Sequence, residues 1–193
     1  MLNQHQIETI IGVYRSETEG ISLHKIGLVL LISLLVFIPG VIRIIREKST
    51  FKEVFMAYWL VAYAGIMFYI TILRREPGYA SGEINPFPTW ENFGGNGYKT
   101  VFSIYNVLLF IPWGFLLRLY KHRSKRMKAF LYTMVVGFCT TCFIETTQLL
   151  TSRGNFEYTD IINNFTGCFI GEVLGALFLT VFWKHAGKHE IKG

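Results

Sequence analysis

Five apolar windows, each about the 20 residues that a helix needs to cross a hydrocarbon core, dominate this chain. They run from Leu23 to Ile42, Val54 to Leu73, Val101 to Leu117, Ala129 to Leu150 and Ile161 to Trp183. The second and third contain no charged residue, and the fourth and fifth contain one each, Glu145 and Glu172. The pattern predicts an all-α membrane protein, a polytopic bundle of about five transmembrane helices. Composition agrees. Only 17% of the 193 residues are charged, against about 25% in ordinary soluble domains.

The basic residues set an expected orientation. Of the 19 Lys and Arg, 13 fall on one side: four around 43–52, six around 118–128, and Lys184, Lys188 and Lys192 in the tail. The other side holds Arg15, Lys25, Arg74, Arg75, Lys99 and Arg153. Basic loops stay in the cytoplasm, so the N-terminus is expected outside and the C-terminus inside. Residues 1–22 form an extracytoplasmic segment, 23–183 the helical domain and 184–193 a cytoplasmic basic tail. The net charge of +6 then fits anionic inner-leaflet lipid, and no nucleic-acid partner is expected. Met1 to Gly20 lacks the basic start and apolar core of a cleavable signal, so the first apolar helix would direct insertion. A short amphipathic helix around Gln6 to Arg15 is a weak further signal.

The cysteines, Cys139, Cys142 and Cys168, lie within apolar runs and are expected as free buried thiols. A redox or metal pair at Cys139 and Cys142 is the less favoured alternative. No metal and no cofactor is expected.

Polar residues at membrane depth are rare and usually face a protein interior or a cavity. Glu145 lies 16 residues past Ala129, about 24 Å from the inner end of a roughly 30 Å core. Gln148 follows on the same helix face. Asn106 reaches a similar depth on the third helix. Arg74 and Arg75 close the second helix on the outer side. Arg153 and Asp160 occupy the last outer loop, and Asn163 and Asn164 open the fifth helix. The residues from Asp160 to Asn164 could instead dip into the membrane as a re-entrant turn. Above this set lies the long outer loop from Arg74 to Thr100, which is rich in glycine and proline and should be irregular.

Each of these residues has a plain structural reading. Glu145 could pair with an arginine and knit helices together, and Asp160, Asn163 and Asn164 could be helix-start caps. Unlike polar types gathered at one depth are costly for scaffolding alone, so a functional pocket is the expectation for the set. Gly167, Gly171 and Gly175, four apart, suggest a face for close helix approach. Glu172 beside them is open between a structural role and a proton path. Pro112 and Gly114 suggest a kink in the third helix.

These residues carry a resemblance. Arg74-Arg75, Asn85-Pro86-Phe87, Asn106 through Pro112 to Gly114, Glu145 with Gln148, Arg153, and Asp160 with Asn164, Gly167 and Gly171 resemble the VanZ-like family over about 69–182. Trp113 and Glu172 depart from the family pattern. The resemblance implies a multi-pass protein of the bacterial cell (plasma) membrane, associated with resistance to teicoplanin, a lipoglycopeptide of the cell envelope. It does not supply a biochemical activity.

Two functions are expected from this set. The first is binding of an anionic amphiphile (a lipoglycopeptide, a wall precursor or a phospholipid) at the outer face. Arg74 or Arg75, with Arg153, would hold the anion, and Asn85, Asn106, Gln148, Asn163 and Asn164 would line the site. The second is a membrane hydrolase or transferase on a lipid-linked substrate, with Glu145 as general acid or base and Asp160 as its charged partner. Against it stands the lack of a serine–histidine set and of clustered histidines. A transporter is a third class, disfavoured by five helices without a repeat unless the protein dimerises.

Overall fold

The computed structural model describes residues 20–78, 83–85 and 97–183, with Gln4, Glu8, Ile11, Gly12 and Arg15 as isolated positions; at 85, 97–102, 182 and 183 it describes the backbone alone. The full amphipathic segment, most of the outer loop with Pro86 and Phe87, and the tail 184–193 lie outside the described residues.

Five helices among the described residues are long and apolar enough to cross a membrane. Helix 1 is Leu23–Ile45, with a 3-10 turn at Leu34–Val36, and helix 2 is Phe51–Leu73. Helix 3 is Gly97–Tyr120, helix 4 is Arg126–Leu150, and helix 5 is Tyr158–Phe178, continued by a π segment at Leu179–Trp183. A 23-residue helix is about 34 Å long at 1.5 Å per residue, enough for a roughly 30 Å core.

Helices 2 to 5 start three or four residues earlier than hydropathy predicts, because polar residues also serve as starts. The Glu53 carboxylate accepts the Thr50 N–H at 2.8 Å, which begins helix 2 ahead of its apolar run. Helix 5 begins at Tyr158 and is continuous. Asp160 to Asn164 are therefore helical rather than re-entrant. Helix 3 likewise runs on through Pro112.

Helices 3 and 5 form the centre. A Cβ on Gly167 would strike the Val107 carbonyl, and one on Gly171 would strike the Ile111 carbonyl and come within 2.7 Å of the Phe115 nitrogen. Gly114 meets the Cys168 carbonyl in the reverse sense. Backbone lies on backbone along this seam, the close approach that small residues permit in lipid. Phe110, Trp113 and Leu117 of helix 3 pack with Met67, Met134, Ile144 and Cys168 to complete the core. Cys168 is buried, as expected for an apolar run. Cys139 is exposed and Cys142 half-buried, because their face of helix 4 turns away from the bundle.

Helix 1 is peripheral, with Leu28, Leu31, Leu35 and Ile38 all exposed on its outer face. Its entry is pinned by Tyr69 of helix 2, whose hydroxyl donates to the Gly20 carbonyl at 3.0 Å and accepts the Ser22 N–H at 2.9 Å. At one end of the bundle the basic loop between helices 3 and 4 meets the start of helix 2, where Arg123 pairs with Glu53 at 2.9 Å. At the other end two-residue strands, Ile84–Asn85 and Phe156–Glu157, pair in parallel, with Asn85 opposite Glu157. That pairing ties the long loop to the approach to helix 5.

Candidate functional site

The end opposite the basic loops gathers the expected polar residues. Glu145 is 2% exposed and Asn164 3%, so both are enclosed by protein rather than by lipid. The Glu145 Oε2 accepts the Glu157 N–H at 3.3 Å, directly before helix 5. Asp160, in the first turn of that helix, is hydrogen-bonded by the Asn106 side chain. Asp160 and Arg75 both act electrostatically on Glu145, and Arg75 also acts on Asp160. Glu145, Asp160, the Asn106 amide and the Arg75 guanidinium just past helix 2 thus form one cluster, and the Glu157 carboxylate before helix 5 acts on both acids.

Below it the Asn164 Nδ2 donates to the Thr141 hydroxyl at 2.9 Å. The Asn164 Oδ1 and the neighbouring Asn163 Nδ2 are buried, with no hydrogen-bond partner among the described residues. Buried polar atoms are almost always satisfied, so the Asn164 Oδ1, directly below the cluster, is suited to an occupant there.

Gln148 and Arg153 act beside it. Helix 2 ends in a π turn, Tyr69–Leu73, in which the Arg74 N–H reaches back to the Tyr69 carbonyl at 2.9 Å. The Gln148 amide donates to the Thr71 carbonyl at 3.1 Å, and the Arg153 Nη1 to the Ile72 carbonyl at 3.2 Å. Both side chains serve carbonyls of that helix end. Ser152, at φ 51°, turns the chain after helix 4. The Arg153 N–H then returns to the Gln148 carbonyl at 2.9 Å, a Schellman closure that places the arginine over helix 2.

The two adjacent arginines divide. The Arg74 Nε donates to the Ile70 carbonyl at 3.3 Å, and its side chain lies 3.6 Å from where a Gly20 Cβ would stand. Arg75 is the one whose charge acts on the two carboxylates. Asn85 is placed by its strand, opposite Glu157.

Sequence reading missed a second level of order. Asp160, Asn164, Cys168 and Glu172 recur every fourth residue on helix 5, as do Thr133, Gly137, Thr141 and Glu145 on helix 4. In both cases the spacing makes one face. The faces meet: Asn164 on Thr141, Cys168 against Gly137, and the Cys168 thiol toward the Thr133 carbonyl at 3.7 Å. Glu172 closes the far end, with the Arg118 Nε 3.4 Å from its Oε1 and both side chains buried. The fourfold polar spacing was visible in the sequence. Its partner helix was not.

Membrane-length helices around an enclosed acid–amide–arginine cluster define a polytopic integral membrane protein with a polar site inside the bundle. The chain belongs to the VanZ/LLP1 family, whose model matches residues 55–179. The match takes in helices 3 and 4 whole, nearly all of helix 2 and helix 5 to its π segment, and every residue of the cluster. No curated protein and no solved structure matches the chain.

Proposed function

We propose that this protein binds the polar head of an amphiphile at the outer face of the bacterial cell membrane. The head would carry an anionic group, as in a lipoglycopeptide, a wall precursor or a phospholipid, and its capture would contribute to tolerance of teicoplanin-type antibiotics. The observation that carries the reading is Arg153. It is half-buried at the polar end, it gives one guanidinium N–H to the Ile72 carbonyl, and among the described residues it has no carboxylate partner. A guanidinium has five donors in a planar fork, so the remainder are suited to a phosphate or carboxylate. Asn163 and Asn164 would bond the head deeper in, and the apolar tail would lie between helices. The positive-inside bias supports the outward opening.

Arg153→Ala is expected to lower tolerance of a teicoplanin-type lipoglycopeptide severalfold in cells while membrane abundance of the tagged protein stays the same. Unchanged tolerance at equal abundance would sink the reading.

The juxtaposed Glu145 and Asp160 favour a second reading, an acid–base hydrolase or transferase acting on a lipid-linked substrate. One carboxyl would give a proton while the other accepts one, with Arg75 and Asn106 orienting Asp160. Purified protein is incubated with membrane lipids and antibiotic, and the products are resolved by mass analysis. A product formed by wild type and lost in Glu145→Gln selects the enzyme. No product from wild type rejects it.

A further inference from the structure

At the basic end of the bundle a cavity of about 370 Å³ opens between helices 1 and 2 and the loop joining helices 3 and 4. This is the size of a small-ligand site, and it lies at the opposite end from the cluster described above. Its rim carries Arg43, Lys48, Lys121 and Arg123 against one carboxylate, Glu53. Glu53 is already engaged, with Oε1 on Arg123 at 2.9 Å and Oε2 on the Thr50 N–H at 2.8 Å. Arg43 and Lys48 have no ion pair among the described residues.

Local structure brings these cations together. Helix 1 ends with Glu47 at φ 56°. The Lys48 N–H returns to the Arg43 carbonyl at 2.8 Å and the Glu47 N–H to the Ile44 carbonyl at 2.9 Å. This Schellman closure folds Lys48 back beside Arg43. Across the opening the Lys121 ammonium is held 4.4 Å from the Tyr132 ring centre and 5.2 Å from that of Tyr120, a cation–π seat. One wall of the cavity is apolar, with Val36, Pro39, Val54 and Ala57. All four belong to membrane-length helices, and the neighbouring Leu35, Ile38 and Ile42 are exposed on the lipid side.

We propose that this cavity binds the phosphodiester head of an anionic phospholipid of the inner leaflet, its acyl chains running along helices 1 and 2. A rim of excess cations selects the phosphate. The apolar wall continuous with the bilayer selects a lipid over a free anion. Basic pockets between helices on the cytoplasmic side are suited to such heads.

The test uses the full chain in detergent and native mass spectrometry, titrating phosphatidylglycerol and phosphatidylcholine with identical acyl chains. Phosphatidylglycerol should bind at least about tenfold more tightly. Arg43→Gln with Lys48→Gln should weaken it about tenfold and leave phosphatidylcholine unchanged, since each basic residue near the surface contributes several-fold. Lys25→Gln, at the other end, should change nothing. If the double variant melts early, Lys48→Gln alone, on the exposed turn, should still weaken phosphatidylglycerol about threefold. Equal binding of the two lipids overturns the proposal, as does wild-type affinity in the folded variants. Full displacement by inorganic phosphate at matched concentration overturns the lipid assignment.

Discussion

Gly171→Val is expected to abolish the folded bundle. At this position of helix 5 an added Cβ would strike the Ile111 carbonyl and come within 2.7 Å of the Phe115 nitrogen. Both are backbone atoms of helix 3, so no rotamer change relieves the clash. The helices must separate, and the contacts of Phe110, Trp113 and Cys168 go with them. Overpacking of this kind falls among the largest single-residue effects, above about 4 kcal/mol. The variant should yield no monodisperse peak on size-exclusion chromatography in mild detergent. Gly27→Ala is the matched control, because nothing lies within 4 Å of its would-be Cβ, and it should elute and melt like wild type. A monodisperse, normally melting Gly171→Val protein would show that helices 3 and 5 do not meet as described.

The second large effect is expected at the other end of the same interface. Arg118 and Glu172 are 6% and 4% exposed, with 3.4 Å between the guanidinium Nε and the carboxylate. Arg118→Leu leaves a buried carboxylate without its partner and should cost about 3–5 kcal/mol, whereas replacing both members with apolar residues is often neutral. Arg118→Leu should therefore melt much earlier than wild type in detergent, and Arg118→Leu with Glu172→Leu should recover most of the loss. Recovery would assign the pair to structure. A double variant as unstable as the single one would contradict a simple pair and return Glu172 to the open alternative of a proton path.

The candidate site was partly legible in the sequence. Depth along each window placed Glu145, Gln148 and Asn106 near one end, and loop position placed Arg75, Arg153 and Asp160 beside them. Depth is readable because helix rise per residue is constant. The division of labour was not readable. Nothing in the adjacent letters Arg74 and Arg75 told which would act on the carboxylates; that followed from the π turn closing helix 2. The bonds of Gln148 and Arg153 to the Thr71 and Ile72 carbonyls depend on the same turn. Glu157 joined the site through its backbone N–H on Glu145 and through its own charge acting on Glu145 and Asp160, neither of which its loop position in the sequence revealed.

By itself the sequence determined how many helices are long and apolar enough to cross a bilayer, where each lies and how far along it each polar residue falls. The bilayer imposes length and polarity on every segment separately, so these properties need no knowledge of neighbours. The tertiary structure alone decided which faces meet: glycines of helix 5 on the helix 3 backbone, Asn164 on Thr141, Cys168 on Gly137. Lipid is as apolar as a protein core, so a residue facing lipid and a residue facing another helix look alike in sequence. Packing chose between them, and that choice gathered the scattered acids, amides and arginine into one cluster.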